Sequence, residues 1–294
     1  MFTGVNHINV ETLKQQIKLW LEEDIGSGDV TANTTIDADS QSKAVIHVKQ
    51  SGIIAGIPVA ELVFQVVDPS LEFTPLVHDG ERVDKGTIIA EVKGSTRSLL
   101  MGERLALNLM QRLSGIATKT NAYVKAIEGY KAKLVDTRKT TPGHRMLEKY
   151  AVRVGGGFNH RFGLYDAVMI KDNHIKGAGS IALAVKSARE NIPHTMKIEV
   201  EVENMVQLDE ALQSGADIIM LDNMSIAMMS EAVKRIKHQS PHIIVEASGG
   251  VSLDTIAAIA QTEVDVISVG ALTYSVQALD ISLDLNEKKG GKDS

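Results

Sequence analysis

The chain has 294 residues and not one cysteine. That excludes disulfides, thiolate zinc centres and cysteine nucleophiles, and it fits a reducing compartment. Long hydrophobic runs are missing too. The most apolar stretch, SGIIAGIPVAELVFQVV (51–67), is broken by Gly56, Pro58 and Glu61, so no membrane span is expected. The first twenty residues lack a basic segment leading into an apolar core, so no secretory signal is expected and the expected location is cytoplasmic. The formal net charge is -6, and no basic stripe appears outside one region, which argues against a nucleic-acid partner. There is no nucleophile elbow, Walker loop or dinucleotide fingerprint. His238 and His242 are four apart, but Pro241 interrupts the helix that would make them a metal pair.

What is present is an ordinary globular composition, 44% apolar and 23% charged, long enough for one large domain or two smaller ones. Early on, VETLKQQIKLWLEEDIG (10–26) has helical spacing and a glycine stop. SKAVIHVKQSGIIAG and TIIAEVKGST read as short strands bounded by glycine. HDGERVDKGTIIAEVKG is similar to half of a biotinyl or lipoyl hairpin without a modifiable lysine tip, and is taken as structural. RSLLMGERLALNLMQRLSG, Arg97 to Gly115, is expected to be one amphipathic helix closed by its glycine. These assign residues 1–115 to a first domain.

From residue 116 to 275 the pattern alternates. Apolar runs (AKLVDT, AVMIKDN, MKIEVEV, DIIMLDN, IIVEASGG, VDVISVGA) recur, and after the first pair helical segments separate them. Continuous apolar strands alternating with helices imply a buried parallel sheet, closed as a (β/α) barrel or open and doubly wound. Each run ends in chemistry: Asp136-Thr137-Arg138-Lys139, Lys171-Asp172-Asn173, Glu201, Asp222-Asn223, Ser248-Gly249-Gly250 and Gly270. In a barrel the C-terminal strand ends share one face, which holds the active site. The tail NEKKGGKDS (286–294) reads as frayed.

At the last two strand ends, Ser248-Gly249-Gly250 with Ser252 as N-cap, then Gly270, suit a phosphate, because glycines let backbone N–H groups approach an anion at a helix N-terminus. Glu201 and Asp222 end neighbouring strands and can hold Mg²⁺ or ribose hydroxyls, or face a developing positive charge. Glu199 shares a face with Glu201, and the sequence leaves open which of them faces the site. Opposite the acids lies the one basic region: eight Lys or Arg against four acids between Asp136 and Lys176. Arg138 and Arg161 can grip a carboxylate or phosphate as bidentate forks, Lys139 and Lys171 act as point charges, and His160 can donate to an anion or cap a loop. A sugar phosphate suits the first two features; a multiply charged acid or a pyrophosphate suits the third.

DTRKTTPGHRMLEKYAVRVGGGFNHRFGLYDAVMIKDNHI resembles the signature region of the quinolinate phosphoribosyltransferases, also called nicotinate-nucleotide pyrophosphorylases. EDIGSGDVT, GERLALNLMQRLSGIAT, KIEVEVEN, IIMLDN, EASGGV and SVGALT are similar to the same family, in order, over about residues 10–285. The adjacent acid pair of the commoner phosphoribosyltransferases is absent. The resemblance implies an N-terminal α/β sandwich, with residues 276–294 returning to it, and an open, incomplete (β/α) barrel with its phosphate site at the final loops. It implies transfer of phosphoribose from phosphoribosyl pyrophosphate to quinolinate with loss of CO₂, in de novo NAD biosynthesis, with Mg²⁺, in a homodimer or higher oligomer. Arg138, His160, Arg161 and Lys171 would bind quinolinate, with Arg104 donated by the partner subunit. Lys139 and Thr140 would sit at the pyrophosphate, Lys139 and Lys171 near the reacting groups. Glu201 and Asp222 would meet the ribose and the metal, directly or through the substrate. Ser248, Gly249, Gly250 and Gly270 would line the phosphate site. Rival readings are a phosphoribosyltransferase acting on nicotinate, a relative serving molybdenum transport, and a non-catalytic phosphate-ligand sensor.

Overall fold

The structure is a computed structural model and describes residues 8–285. The frayed-tail expectation for 286–294 lies outside them. The chain divides into two compact units, one comprising Met1–Lys119, Met146–Gly155 and Val276–Ser294, the other Thr120–Arg145 and Gly156–Ser275. The division thus falls four residues beyond the one read from the sequence, and a ten-residue segment that the sequence places in the barrel groups with the first unit.

The first unit opens with α1 (Val10–Ile25) and α2 (Val30–Thr35), then β1 (Gln41–Val48), β2 (Gly52–Ile53), α3 (Ile57–Val67), β3 (Glu72–Pro75), β4 (Arg82–Val83), β5 (Ile88–Ser95) and α4 (Thr96–Ala126), whose last seven residues belong to the second unit. Helix α1 buries Leu13, Ile17 and Leu21 at a spacing of four; the Asn9 side chain caps its start by accepting from Thr12 N, and Gly26 ends it. Ala44, Ile46 and Val48 alternate into the core from β1, as a half-buried antiparallel strand requires. Helix α4 corrects the sequence expectation: it runs straight through Gly115. The glycine is there for close approach, not termination, since a Cβ would fall 3.1 Å from Ala278 Cα and 3.0 Å from Val276 Cγ1.

The chain continues as β6 (Lys133–Val135), α5 (Arg145–Val154), β7 (Val168–Ile170), α6 (Asp172–Ala178), α7 (Ile181–Asn191), β8 (Ile198–Val202), α8 (Met205–Ser214), β9 (Ile218–Asp222), α9 (Ile226–Gln239), β10 (Ile244–Ser248), α10 (Leu253–Ala260), β11 (Val266–Ser268), α11 (Ala271–Tyr274) and β12 (Ile281–Leu285). Strand β12 belongs to the first unit, whose antiparallel sheet has the order β12-β1-β5-β3. In the second unit six parallel strands run β6-β11-β10-β9-β8-β7. Strands β6 and β7 stand at opposite ends of that order, and β6 gains only an isolated parallel bridge between Val135 and Phe158. The barrel is therefore open.

Alternation along these strands decides the interior. Ile198, Val200, Val202, Ile219, Leu221, Val245, Ala247 and Ile267 are fully buried on one face. The other face carries Glu199, Glu201, Met220, Asp222, Glu246 and Ser248. Glu201, Met220 and Glu246 are in register across β8, β9 and β10, and Asp222 lies opposite Ser248 one layer further along. A barrel interior is ordinarily filled with branched apolar side chains. Here its C-terminal half is polar. Among the described residues, no helix is long and apolar enough to cross a membrane.

Candidate active site

A cavity of about 590 Å³ opens at the C-terminal ends of the barrel strands. Eleven of the thirteen residues singled out from the sequence line it: Arg138, Lys139, His160, Arg161, Lys171, Glu201, Asp222, Ser248, Gly249, Gly250 and Gly270. Thr140 and Arg104 do not. Thr140 lines a separate opening with Lys139, Thr141 and Tyr274, and its hydroxyl accepts from Arg145 Nε at 2.9 Å. Arg104 is exposed on α4, in the first unit.

The eight cations of the basic region separate into distinct jobs. Arg138, Lys139, Arg161 and Lys171 reach the cavity. Arg145 is a staple: beyond Thr140, it donates to Phe162 O and Arg138 O, both at 3.2 Å, and so ties the two basic loops together. Lys176 pairs with Asp172 one turn away on α6, and Lys149 and Arg153 fall in the first unit. Acids fix the loops as well. Asp136 is fully buried and accepts from Asn159 Nδ2 at 2.5 Å and His160 N at 2.9 Å; Asp166 accepts from Phe162 N at 2.5 Å and Gly163 N at 2.9 Å.

Arg138 Nε is buried without a hydrogen-bond partner. A buried guanidinium N–H left unmatched calls for an acceptor. Arg161 donates to Ala167 O at 2.9 Å, and burial, with Arg138 beside it, weakens its hold on its proton. Lys171 is bonded to Glu201. Lys139 leans over the Tyr274 ring, with Nζ 6.0 Å from its centre, and its chain passes Gly270, where a Cβ would sit 3.1 Å from Lys139 Cδ.

The Glu199 and Glu201 alternative is settled by depth. Glu201 lines the cavity; Glu199 is only 2% exposed and lies beneath it, while Glu246, 3% exposed, forms part of the cavity floor. His160 Nε2 lies 3.3 Å from Glu199 and 3.5 Å from Glu246, while Nδ1 accepts from Arg161 N at 2.7 Å. Both ring nitrogens are thus engaged within the protein. Burial opposes charge on the ring, but hydrogen bonds to Glu199 and Glu246 and their charges outweigh it and push the imidazole pKa up to about 10. A second ring proton must displace the Arg161 N–H contact. Because the folded pKa is raised, this contribution to stability is complete below the unfolded value of about 6.5 and is lost as pH rises through about 10. Glu246→Gln is expected to lower the His160 pKa by at least about one unit, read from imidazole NMR shifts against pH. An unchanged titration would assign the upward shift to something other than this carboxylate.

The donor atoms of His160, Glu199 and Glu246 lie within 4.8 Å of one another. An imidazole drawn toward its protonated form is a poor metal ligand, and the hydrogen bonds account for the distances. Asp222 and Glu201 supply the hard oxygens that suit Mg²⁺. Glu201 is already neutralised by Lys171, so the arrangement fits a cation delivered with an anionic substrate better than a resident one.

Comparison with known proteins fits this geometry. Residues 29–114 match the N-terminal domain of quinolinate phosphoribosyl transferase, and residues 116–284 match its C-terminal domain. The chain belongs to the quinolinate phosphoribosyltransferase family. Family members of known name include a probable nicotinate-nucleotide pyrophosphorylase (carboxylating) from Synechocystis, 49% identical over 92% of this chain and 91% of that one. Another of the same name, from Bacillus subtilis, is 46% identical over 96% and 95%. The structure of the nicotinate-nucleotide pyrophosphorylase from Francisella tularensis superposes with a TM-score of 0.90 at 42% identity, covering 96% of this chain and 98% of that one.

Sequence reasoning gave no role to Glu246, Asn223 or Tyr274, all of which line the cavity. A signal existed for Glu246, which precedes Ser248 by two on the same strand face, as Glu199 precedes Glu201. For Asn223 the only signal was its place after Asp222.

Proposed function

We propose that the cationic end of this cavity holds quinolinate and its glycine end holds phosphoribosyl pyrophosphate. The chain is a quinolinate phosphoribosyltransferase: it joins the two, releases pyrophosphate and CO₂, and forms nicotinate mononucleotide for NAD biosynthesis. The observation that carries the assignment of ends is the unmatched, buried Arg138 Nε, set beside Arg161 and Lys171 in the same cavity. Two adjacent carboxylates on one ring supply acceptors for that cluster. His160, engaged with Glu199 and Glu246, supports the cluster from beneath, and Arg138, Arg161 and Lys171 are the direct donors.

The pyridine nitrogen is already a nucleophile, which is why no Ser–His or Cys–His pair is required. It attacks the anomeric carbon as the bond to pyrophosphate breaks. The sugar gains positive charge in the transition state, and Glu201 and Asp222 are placed to stabilise it. Lys139 meets the departing pyrophosphate. Glu201 and Asp222 would also hold Mg²⁺ carried in with the substrate, which when bound offsets the charge of the pyrophosphate. With the ring nitrogen quaternised, the bond from C2 to its carboxylate breaks and CO₂ leaves. The electron pair stays on C2 beside the positive nitrogen until a proton adds. Orienting a dianion is the main task left to the protein. Ser248, Gly249, Gly250 and Gly270 take the 5′-phosphate through backbone N–H groups.

The reading is tested by pyrophosphate release with pyridine 2,3-dicarboxylate, 3-carboxylate and 2-carboxylate in turn. The 2,3-dicarboxylate should be preferred by at least about 100-fold, because a bound monoanion leaves cations desolvated by the ligand but unmatched, at a few kcal/mol, and about 1.4 kcal/mol is tenfold. Equal use of the three would remove the assignment.

The working unit is proposed to be a cytoplasmic homodimer in which Arg104 completes the partner's site. Arg104→Ala and Lys139→Ala subunits, each inactive alone, should regain activity on mixing, up to one working site per mixed dimer. Lack of recovery with subunit exchange verified by mass would rule out a shared site.

A further inference from the structure

The end of β9 carries a backbone feature that the reaction as described leaves unexplained. Asn223 has φ of 52°, and among the described residues only Glu263 shares a positive φ without being glycine. Side chains other than glycine enter this region at a cost, and asparagine is among the few that visit it. Strain of this kind persists where the surroundings over-determine it. Here three contacts do so. The Asn223 N–H donates to Ser248 O at 3.0 Å, its Nδ2 donates to Asp222 Oδ2 at 2.8 Å, and the amide packs on Gly249.

The chemistry fixes which way the amide points. A carboxylate offers only acceptors, so the NH₂ must face Asp222 and the carbonyl must face the glycine turn. Gly249 itself has φ of 89°, and a Cβ there would lie 2.5 Å from Asn223 Cγ and 2.9 Å from Nδ2. The glycine is therefore required twice, by its own backbone and by the amide that lies over it.

We propose that Asn223 is a positioning residue: its amide fixes the Asp222 carboxylate and, through its seat on Gly249, sets that carboxylate at a constant distance from the phosphate-binding turn. The proposal rests on the functional reading above, in which Asp222 faces the sugar and the turn takes the 5′-phosphate. One phosphoribosyl group touches both. A shift of either relative to the other misplaces the anomeric carbon, and about 1 Å of misplacement can cost ~100-fold in rate. Quinolinate, held by Arg138 and Arg161, does not depend on this link.

Two variants and one control test it. Asn223→Gly keeps the backbone and removes the amide. Asn223→Asp keeps the shape but sets an acceptor against Asp222. With both substrates saturating, Asn223→Gly should lose about 10-fold in kcat and Asn223→Asp about 100-fold. Each should raise KM for phosphoribosyl pyrophosphate and leave KM for quinolinate within about threefold. Rates are normalised to the folded fraction from thermal melts, so a residue that merely stabilises the turn would lower Tm and leave the normalised kcat unchanged. That outcome, or an Asn223→Asp enzyme within twofold of the unmodified kcat, would overturn the proposal. So would an equal loss in both KM values. Should Asn223→Asp fail to fold, Asn223→Gly alone decides by the same criteria. Asp222→Asn is measured alongside. If it too is fully active, the functional reading of Asp222 fails; if it is impaired while the Asn223 variants are not, only the positioning role fails.

Discussion

Asp222→Asn is expected to lower kcat by roughly 10²- to 10³-fold while KM for quinolinate stays within about threefold. The substitution preserves shape and removes one negative charge. In the ground state that charge meets the sugar and its Mg²⁺, not quinolinate, so its loss costs quinolinate little binding. In the transition state the sugar is cationic, and the missing charge acts there. Glu201 offsets the loss only in part, because Lys171 already pairs with it. Steady-state kinetics at saturating phosphoribosyl pyrophosphate gives the answer. A kcat within a few-fold of the unmodified enzyme would remove Asp222 from the chemical step.

Arg161→Ala is expected to lower kcat/KM for quinolinate by at least about 30-fold and to affect nicotinate by less than about tenfold. Truncating one partner of a buried, hydrogen-bonded charge pair costs about 2–5 kcal/mol. Arg161 is half-buried, so the lower end of that range applies: the Ala167 carbonyl anchors its guanidinium, partial burial weakens its hold on its proton, and Arg138 stands beside it. The second carboxylate of the ring is what such an arginine distinguishes. A parallel fall for the two acids would mean that Arg161 serves the cavity as a whole.

The alternation of apolar runs and helices was legible because each strand of a parallel sheet is buried on both faces and each crossover returns it to the same sheet. Polar residues at the strand ends followed from the same geometry, and they brought eleven separated positions to one mouth. Other features were hidden because the sequence does not show what a residue packs against. Gly115 looked like a helix stop and is a point of close approach to residues 276–278. Arg145 was one cation of the basic region with no role legible in the sequence, and it holds two loops together. Thr140 stands next to Lys139 but faces another opening. Glu199 and Glu201 were indistinguishable by periodicity, since both point into the barrel and differ only in depth. The strained backbone of Asn223 could not be read at all, because asparagine occupies that conformation only where its neighbours compel it.

The central claim is that the four cations reaching the cavity, Arg138, Lys139, Arg161 and Lys171, serve a dicarboxylate and a pyrophosphate in one reaction. The most direct measurement supplies quinolinate labelled with ¹³C in its C2 carboxylate, together with phosphoribosyl pyrophosphate and Mg²⁺, and counts labelled CO₂ against pyrophosphate. The account predicts one CO₂ for each pyrophosphate, with nicotinate mononucleotide as the only nucleotide formed and nicotinate at least about 100-fold poorer as a substrate. Pyrophosphate released without labelled CO₂, or nicotinate used as readily as quinolinate, would contradict it.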